Sequence, residues 1–386
     1  MDFNLSDEQI AIRETVRDFA EKEIAPTARE RDENSEFPYE IVKKLAKLGM
    51  CGVVAPPEYG GSGMDYLSYV IIIEELARVD ASVAVIMSVT NTLAGFPLRK
   101  FGSEEQKKKF LIPLSKGEKL GAYSLSEPQA GSDASNLACT AVLDGDHYVL
   151  NGVKNFVTNG SNAEVIIVFA VTDKEKGKKG ISIFIVESDM PGFSVSKVEK
   201  KLGIKSSDTA EIVFENCRVP VANRIGEEGE GRKIALTTLD YGRVGIGAQA
   251  LGIAQGAMER AIAYSQEREQ FGKKIISFQA IQFKISEMAV NVDASRLLLY
   301  RAAKLQDEGK NFTAESAMVK LFASKTAMKT ANQAVQIFGG NGYMREYEIE
   351  RFMRDAKITE IYEGTSEIQK IVISREIIKR YSKAQG

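Results

Sequence analysis

All nine prolines of this 386-residue chain lie at or before Pro220. The 166 residues that follow therefore contain nothing that removes a helical N–H or forces a kink, and long uninterrupted helices are the natural consequence. The apolar pattern agrees. Ile281, Ile285, Met288, Val292, Ser295 and Leu299 follow a four-three spacing, as do Ala317, Leu321, Ser324, Met328, Ala331, Val335 and Phe338. Both stripes predict members of a helical bundle, with small residues where the helices meet. The stripes themselves are core.

Upstream, Ser6-x-x-Gln9 has the form of a capping box at the head of an amphipathic segment (Ile12, Val16, Phe19) that Pro26 is expected to end. A second helix follows Pro38, Pro56 to Gly63 reads as a loop, and Tyr66, Tyr69, Ile73 and Leu76 mark a third helix. Ser82 to Leu98 is apolar nearly all round and predicts a buried helix. From Tyr123 the period changes. Ala141 to Leu150 reads as a hairpin around Asp144-Gly145, and Glu164 to Val171, Gly180 to Glu187 and Thr209 to Phe214 are β-branched runs of strand length. No long helices interleave with them, which predicts an antiparallel sheet. The expected fold is α+β and multidomain: an N-terminal helical domain (1–122), a middle antiparallel β domain (123–232) and a C-terminal domain like a four-helix bundle (233–386).

Charge narrows the function. Lys and Arg (51) nearly balance Asp and Glu (53), without a long run of one sign, so neither nucleic acid nor an anionic membrane is the expected partner. No apolar stretch is expected to reach transmembrane length, and Met1-Asp-Phe-Asn lacks the pattern of a signal peptide, so the cytoplasm is the expected location. Cys51, Cys139 and Cys217 are widely spaced and read as free thiols. The one histidine, His147, falls in the hairpin turn, which leaves no zinc site and puts acid-base chemistry on carboxylates, Tyr or Lys.

The stretch Ile358 to Gln369 holds three carboxylates, Glu360, Glu363 and Glu367. Ser366-x-x-Gln369 has capping-box form, which places Glu367 in a first helical turn and Glu363 in a non-helical joint before Gly364. A presented base and a solvated connection both suit that joint. Gly245-Ile-Gly-Ala-Gln-Ala250 resembles a dinucleotide fingerprint but follows no strand, and is rejected as one. Gly242, Gly245, Gly252 and Gly256 share a helical face at a cost of about 0.8 to 1 kcal/mol each relative to Ala, so something should approach that backbone: another helix, or a ligand beside Asp240 and Arg243. Gly339 to Gly342 suits an anion nest or a helix C-cap, and Arg268 to Gly272 a pyrophosphate or a surface helix end.

Six segments in order, YSLSEPQAGSD (123–133), FVTNG (156–160), LDYGR (239–243), REQFGK (268–273), QIFGGNGY (336–343) and IYEGT (361–365), resemble the acyl-CoA dehydrogenase family from end to end, most of all its short-chain branch. The resemblance implies FAD as cofactor. Tyr123, Leu125, Ser126 and Ser132 would line the flavin, with Ser132 also reaching CoA; Phe156 would pack on the ring and Thr158 donate to the nitrogen that accepts hydride. Arg268, Gln270, Phe271, Gln279, Gln336, Gly339 and Gly340 would meet the adenine and pyrophosphate half from a neighbouring subunit, in a homotetramer built as a dimer of dimers. Thr365 and Glu367 would touch the same FAD.

Glu363 matches the family's base. It would take the α proton of an acyl-CoA thioester while hydride leaves the β carbon, with burial raising its pKa from about 4.3 toward neutrality and the Glu363 N–H among the donors to the thioester oxygen. Some branches place the base where this chain has Gly242, which cannot act. Asp240, Arg243, Tyr362 and Gly364 fall on the substrate side, and Gln249 would narrow the far end of the acyl cavity. Phe156 departs from a common Trp. The implied activity is α,β-dehydrogenation of short-chain acyl-CoA to trans-2-enoyl-CoA, with electrons passed to an electron-transfer flavoprotein. Alternatives are an oxidase, an enoyl-CoA reductase with a bifurcating flavoprotein, and a non-catalytic CoA-thioester-binding protein.

Overall fold

The computed structural model describes residues 4–384; Met1 to Phe3, part of the segment on which the signal-peptide expectation rests, lie outside them. The Ser6 capping box forms: Gln9 N–H donates to Ser6 Oγ at 3.2 Å and Ser6 N–H to Gln9 Oε1 at 3.0 Å. Pro26 does not end the helix that follows. One wide turn, Ala20–Ile24, joins Asp7–Phe19 to Ala25–Asn34, and Pro26 sits in the first turn of the second piece, where its missing N–H costs little.

Ala81–Phe101 forms one apolar rod with a wide turn at Val89–Ala94. Contrary to expectation, these 21 residues are long and apolar enough by composition to cross a membrane, yet the apolar window lies wholly inside the protein. It is the buried helix foreseen over Ser82 to Leu98. Asn91 fills the wide turn, donating from Nδ2 to Met50 O and Met87 O and accepting from Val53 N–H, all at 2.9 Å.

The middle sheet has eight strands: β1 (Gly121–Ser124), β2 (Thr140–Asp144), β3 (His147–Thr158), β4 (Val165–Val171), β5 (Ile181–Glu187), β6 (Phe193–Val198), β7 (Thr209–Pro220) and β8 (Arg224–Ile225). They run β6-β7-β3-β2-β4-β5-β8, with β1 also beside β4. Pairing is antiparallel except between β1 and β4 and at the single Thr140–Val171 pair of β2 with β4. β1 starts two residues before the boundary expected at 123, so the polar loop begins inside a strand. The β4 sequence is apolar at every position because both its faces are covered. Val165, Ile167 and Phe169 pack with Leu98, Phe110 and Leu114 of the helical domain, while Ile166, Val168 and Ala170 join Leu150 and Phe214.

The proline-free region is helical as foreseen: Gly231–Glu267, Gln279–Asp307, Thr313–Phe338 and, last, Ser366–Ala384. Met288, Val292, Ser295 and Leu299 are buried from one stripe and Ala317, Ser324, Ala331 and Phe338 from the other. The rejected fingerprint lies in mid-helix. At Gly252 and Gly256 a Cβ would overlap the carbonyls of Glu74 and Arg78, so these two glycines serve tight helix packing.

Candidate active site

After the Ile349–Ile358 helix the chain reverses through Glu363 (φ 52°) and Gly364 (φ 96°). A glutamate in the left-handed region is held there at a cost of about 1 to 2 kcal/mol, and the bonds that hold it are visible. Gln369 Nε2 donates to Glu363 O at 3.2 Å and Gly364 O at 2.8 Å, and Lys320 Nζ donates to Gly364 O at 2.6 Å. The capping box foreseen at Ser366 does not form. Thr365 caps instead, its Oγ1 accepting from Ile368 N–H at 3.4 Å, because the reversal exposes two carbonyls that draw the Gln369 side chain away.

The Glu363 carboxylate stands against Gly242, where a Cβ would overlap it. That glycine makes room first for the glutamate and also for Leu93 of the neighbouring helix, 2.7 Å from the same Cβ position. Glu363 Oε2 is buried and accepts no hydrogen bond among the described residues. Burial lifts its pKa to about 7, against the opposing pull of Lys320 and Arg243. No acceptor takes the Glu363 N–H among the described residues. Gly245 faces Tyr69 and Ser88, whose hydroxyls share a 2.9 Å hydrogen bond. Behind Glu363, Tyr362 Oη donates to Gln249 Oε1, and Gln249 Nε2 donates to Ala81 O at 2.9 Å, so this fully buried amide is fixed at both ends. Arg243 donates to Asp240 at 2.6 Å, Asp240 also accepts from Thr313 at 2.8 Å, and burial raises the Asp240 pKa.

Across from this group lies the β1 to β3 edge. A bulge in β3 between Lys154 and Val157 places Phe156 at φ 58°, with the residue 66% exposed. The bulge and the polar loop are locked together: Lys154, fully buried, donates to Glu127 at 2.7 Å and Leu125 O at 3.1 Å, and Asn155 N–H donates to Ser126 O at 2.9 Å. Tyr123, Leu125, Ser126, Phe156 and Thr158 thus form one wall, and burial beside Glu363 raises the Tyr123 phenol's pKa. Ser132 lies exposed further along the loop.

Tyr123 Oη, Ser124 Oγ, Asn155 Oδ1, Arg243 Nε and Glu363 Oε2 are all buried without a partner among the described residues. With the open face of Phe156, this mixed set of donors (Tyr123 and Ser124 hydroxyls, Arg243 N–H) and acceptors (Asn155 and Glu363 oxygens) fits the ring system of FAD and a thioester between Phe156 and Glu363.

A second group gathers elsewhere. The Tyr264 ring stacks on Phe338 at 4.0 Å and its hydroxyl accepts from Asn341 Nδ2 at 2.9 Å, which draws Arg268, Gln270, Phe271, Gln336, Gly339 and Gly340 to one end of the bundle, with Gln279 opening the next helix. All seven are exposed, and Phe271 is 93% so. That end lies roughly 38 Å along the Gly231–Glu267 helix from Gly242. Thr365 and the exposed Glu367 stay beside Glu363. Sequence reasoning missed Tyr69 and Lys320. Lys320 carried a signal, because it stands three residues after Ala317 and four before Ser324, on a core stripe.

The chain matches the three domain profiles of one family: the acyl-CoA dehydrogenase N-terminal domain over residues 6–118, the middle domain over 122–217 and the C-terminal domain over 229–378. It is 52% identical over 379 residues to the short-chain specific acyl-CoA dehydrogenase of Clostridium acetobutylicum, covering 98% of this chain and 100% of that one. Butyryl-CoA dehydrogenase from Megasphaera elsdenii has the same fold, at a TM-score of 0.97 and 49% identity over 98% of this chain and 100% of that one. A structure from work on the electron transferring flavoprotein of Acidaminococcus fermentans, directed at flavin-based electron bifurcation, matches at a TM-score of 0.97 and 51% identity over 98% and 99% of the two chains. Motif order, site geometry and full-length similarity agree that this protein belongs to the acyl-CoA dehydrogenase family.

Proposed function

We propose that this protein is an FAD-dependent short-chain acyl-CoA dehydrogenase that converts acyl-CoA to trans-2-enoyl-CoA in the cytoplasm and passes electrons to an electron-transfer flavoprotein. The observation that carries this reading is the Glu363 carboxylate, buried, unbonded at Oε2, set against Gly242 and held near pKa 7 by burial. A carboxylate with an ordinary pKa is a poor base for a carbon acid, and raising it toward neutrality narrows the gap. Glu363 takes the α proton on Oε2, and its N–H is free to donate to the thioester oxygen as negative charge builds there. Bound FAD supplies the acceptor for the hydride that leaves the β carbon.

Phe156 and Thr158 would hold the ring, with Tyr123, Leu125, Ser126 and Ser132 along its edge, and Thr365 and Glu367 would reach the same cofactor. Asp240 and Arg243, with Tyr362 and Gly364, would order the thioester side. The fixed Gln249 amide closes the space behind Tyr362 and favours short acyl groups. Arg268, Gln270, Phe271, Gln279, Gln336, Gly339 and Gly340 stand too far from Glu363 to meet the same FAD from one chain, which supports a homotetramer whose sites are completed by a neighbouring subunit. The three domains divide near residues 122 and 232.

The similarity to a structure from work on flavin-based bifurcation favours one second reading, the same residues working as an enoyl-CoA reductase with a bifurcating flavoprotein. Anaerobic mixing of the FAD-loaded protein with butyryl-CoA is expected to bleach the flavin band, and Glu363→Gln to keep FAD but lose the bleaching. Unchanged bleaching in the variant would remove Glu363 as base, and octanoyl-CoA turned over as well as butyryl-CoA would remove the short-chain reading.

A further inference from the structure

Lys320 is fully buried on the Thr313–Phe338 helix, and among the described residues its ammonium makes one hydrogen bond, to Gly364 O at 2.6 Å. No carboxylate comes within 4.0 Å of it among the described residues. A buried ammonium without a counter-ion destabilises the fold, so its place on a core stripe calls for a reason.

The surrounding charges supply one. Lys320 faces Glu363 and Arg243, with Glu360 and Glu367 beyond. Glu363 in turn faces Lys320, Arg243 and the phenols of Tyr69, Tyr123 and Tyr362. Arg243 is already paired with Asp240 at 2.6 Å, and Glu360 with Lys357 at 2.8 Å. Among the described residues, Lys320 is thus the cation facing Glu363 whose charge no close carboxylate offsets.

We propose that Lys320 is a positioning residue for the base: its ammonium clamps the Glu363–Gly364 reversal through the Gly364 carbonyl, and its unpaired charge keeps the neighbouring carboxylate ionised without occupying the oxygen that takes the proton. This rests on the assignment of Glu363 as base. The arrangement solves a conflict in the site. Burial alone pushes the carboxylate toward its neutral, inactive form, whereas a direct salt bridge would occupy its oxygens and weaken it as a base. A cation bonded to the adjacent carbonyl opposes the first without causing the second.

The test follows the pH dependence of anaerobic flavin reduction by butyryl-CoA in the FAD-loaded protein, for the native chain, Lys320→Met, Lys320→Gln, Lys320→Arg and Glu363→Gln. An infrared difference titration of the carboxyl band, assigned by its loss in Glu363→Gln, reads the same ionisation without turnover. Removing the charge is expected to move the acid limb and the infrared midpoint upward together by about one pH unit, a tenfold loss of rate on that limb, and Lys320→Arg to restore both. An unmoved limb in Lys320→Met and Lys320→Gln, even with a uniformly lower rate, would overturn the inference and leave Lys320 a packing residue. Should both neutral variants fail to hold FAD, Lys320→Arg decides: a limb at or below the native one supports the inference and a raised one overturns it. Normal reduction by Glu363→Gln would instead strike the base assignment itself, so the two failures are distinct.

Discussion

Glu363 is stabilised in an unfavourable state twice over, by a backbone at φ 52° and by a carboxylate buried without a hydrogen bond on Oε2. Both are costs to the fold, and they give a thermodynamic signature. An acid whose folded pKa lies above its unfolded value binds its proton more tightly when folded, so that contribution to stability is fully present below the unfolded value of about 4.3 and is lost as pH rises through the folded value near 7. Glu363→Gln removes the ionisation. The variant is therefore expected to melt a few degrees above the native protein at pH 8, with the gap closing toward pH 4, in thermal melts of the FAD-loaded proteins. A native protein more stable than the variant at pH 8 would show that the carboxylate is better solvated than its surroundings indicate.

The four glycines singled out on one face of the Gly231–Glu267 helix (Gly242, Gly245, Gly252 and Gly256) separate by what they face, which the sequence could not tell. Gly242 makes room for the Glu363 carboxylate and Gly252 for the Glu74 carbonyl, yet both look alike as small residues on one face. Gly252→Ala gains up to about 1 kcal/mol of helix propensity but loses about 1 to 3 kcal/mol by overpacking, because a backbone carbonyl cannot swing aside as a side chain could. A lower melting midpoint with unchanged turnover is expected, read by thermal melts beside steady-state rates. The same limit explains what else was legible. Local pattern revealed the long helices, the hairpin closed at Asp144 and His147, and the buried rod from Ala81, because each depends on neighbours in sequence. It misplaced the cap at Ser366 and the helix end at Pro26, since both turn on a backbone reversal or a wide turn that leaves no residue signature. Motif resemblance supplied Glu363 as candidate base and the proposed flavin wall, but not Lys320, whose proposed role depends on a helix position 44 residues away in sequence coming to rest on Gly364.

At the scale of the molecule, the two halves of the proposed cofactor site lie at opposite ends of one helix, and this makes the assembly testable through the chemistry. Glu363 and the Phe156 wall belong to one end, Arg268, Phe271 and the Gly339–Gly340 turn to the other, roughly 38 Å away. If each FAD is shared between subunits, Arg268→Glu is expected to lose FAD and activity, and Glu363→Gln to keep FAD without activity. Co-refolding the two variants in equal amounts then makes mixed pairs in which one site takes Glu363 from the first chain and Arg268 from the second. Random mixing gives half of the pairs mixed and one intact site in each, so activity is expected to return to about a quarter of the native level, from two inactive parents, under two-fold pairing. Sites built within single chains would return none. The recovered activity should also carry the native pH dependence, since every reconstituted site keeps an intact Glu363 beside Lys320.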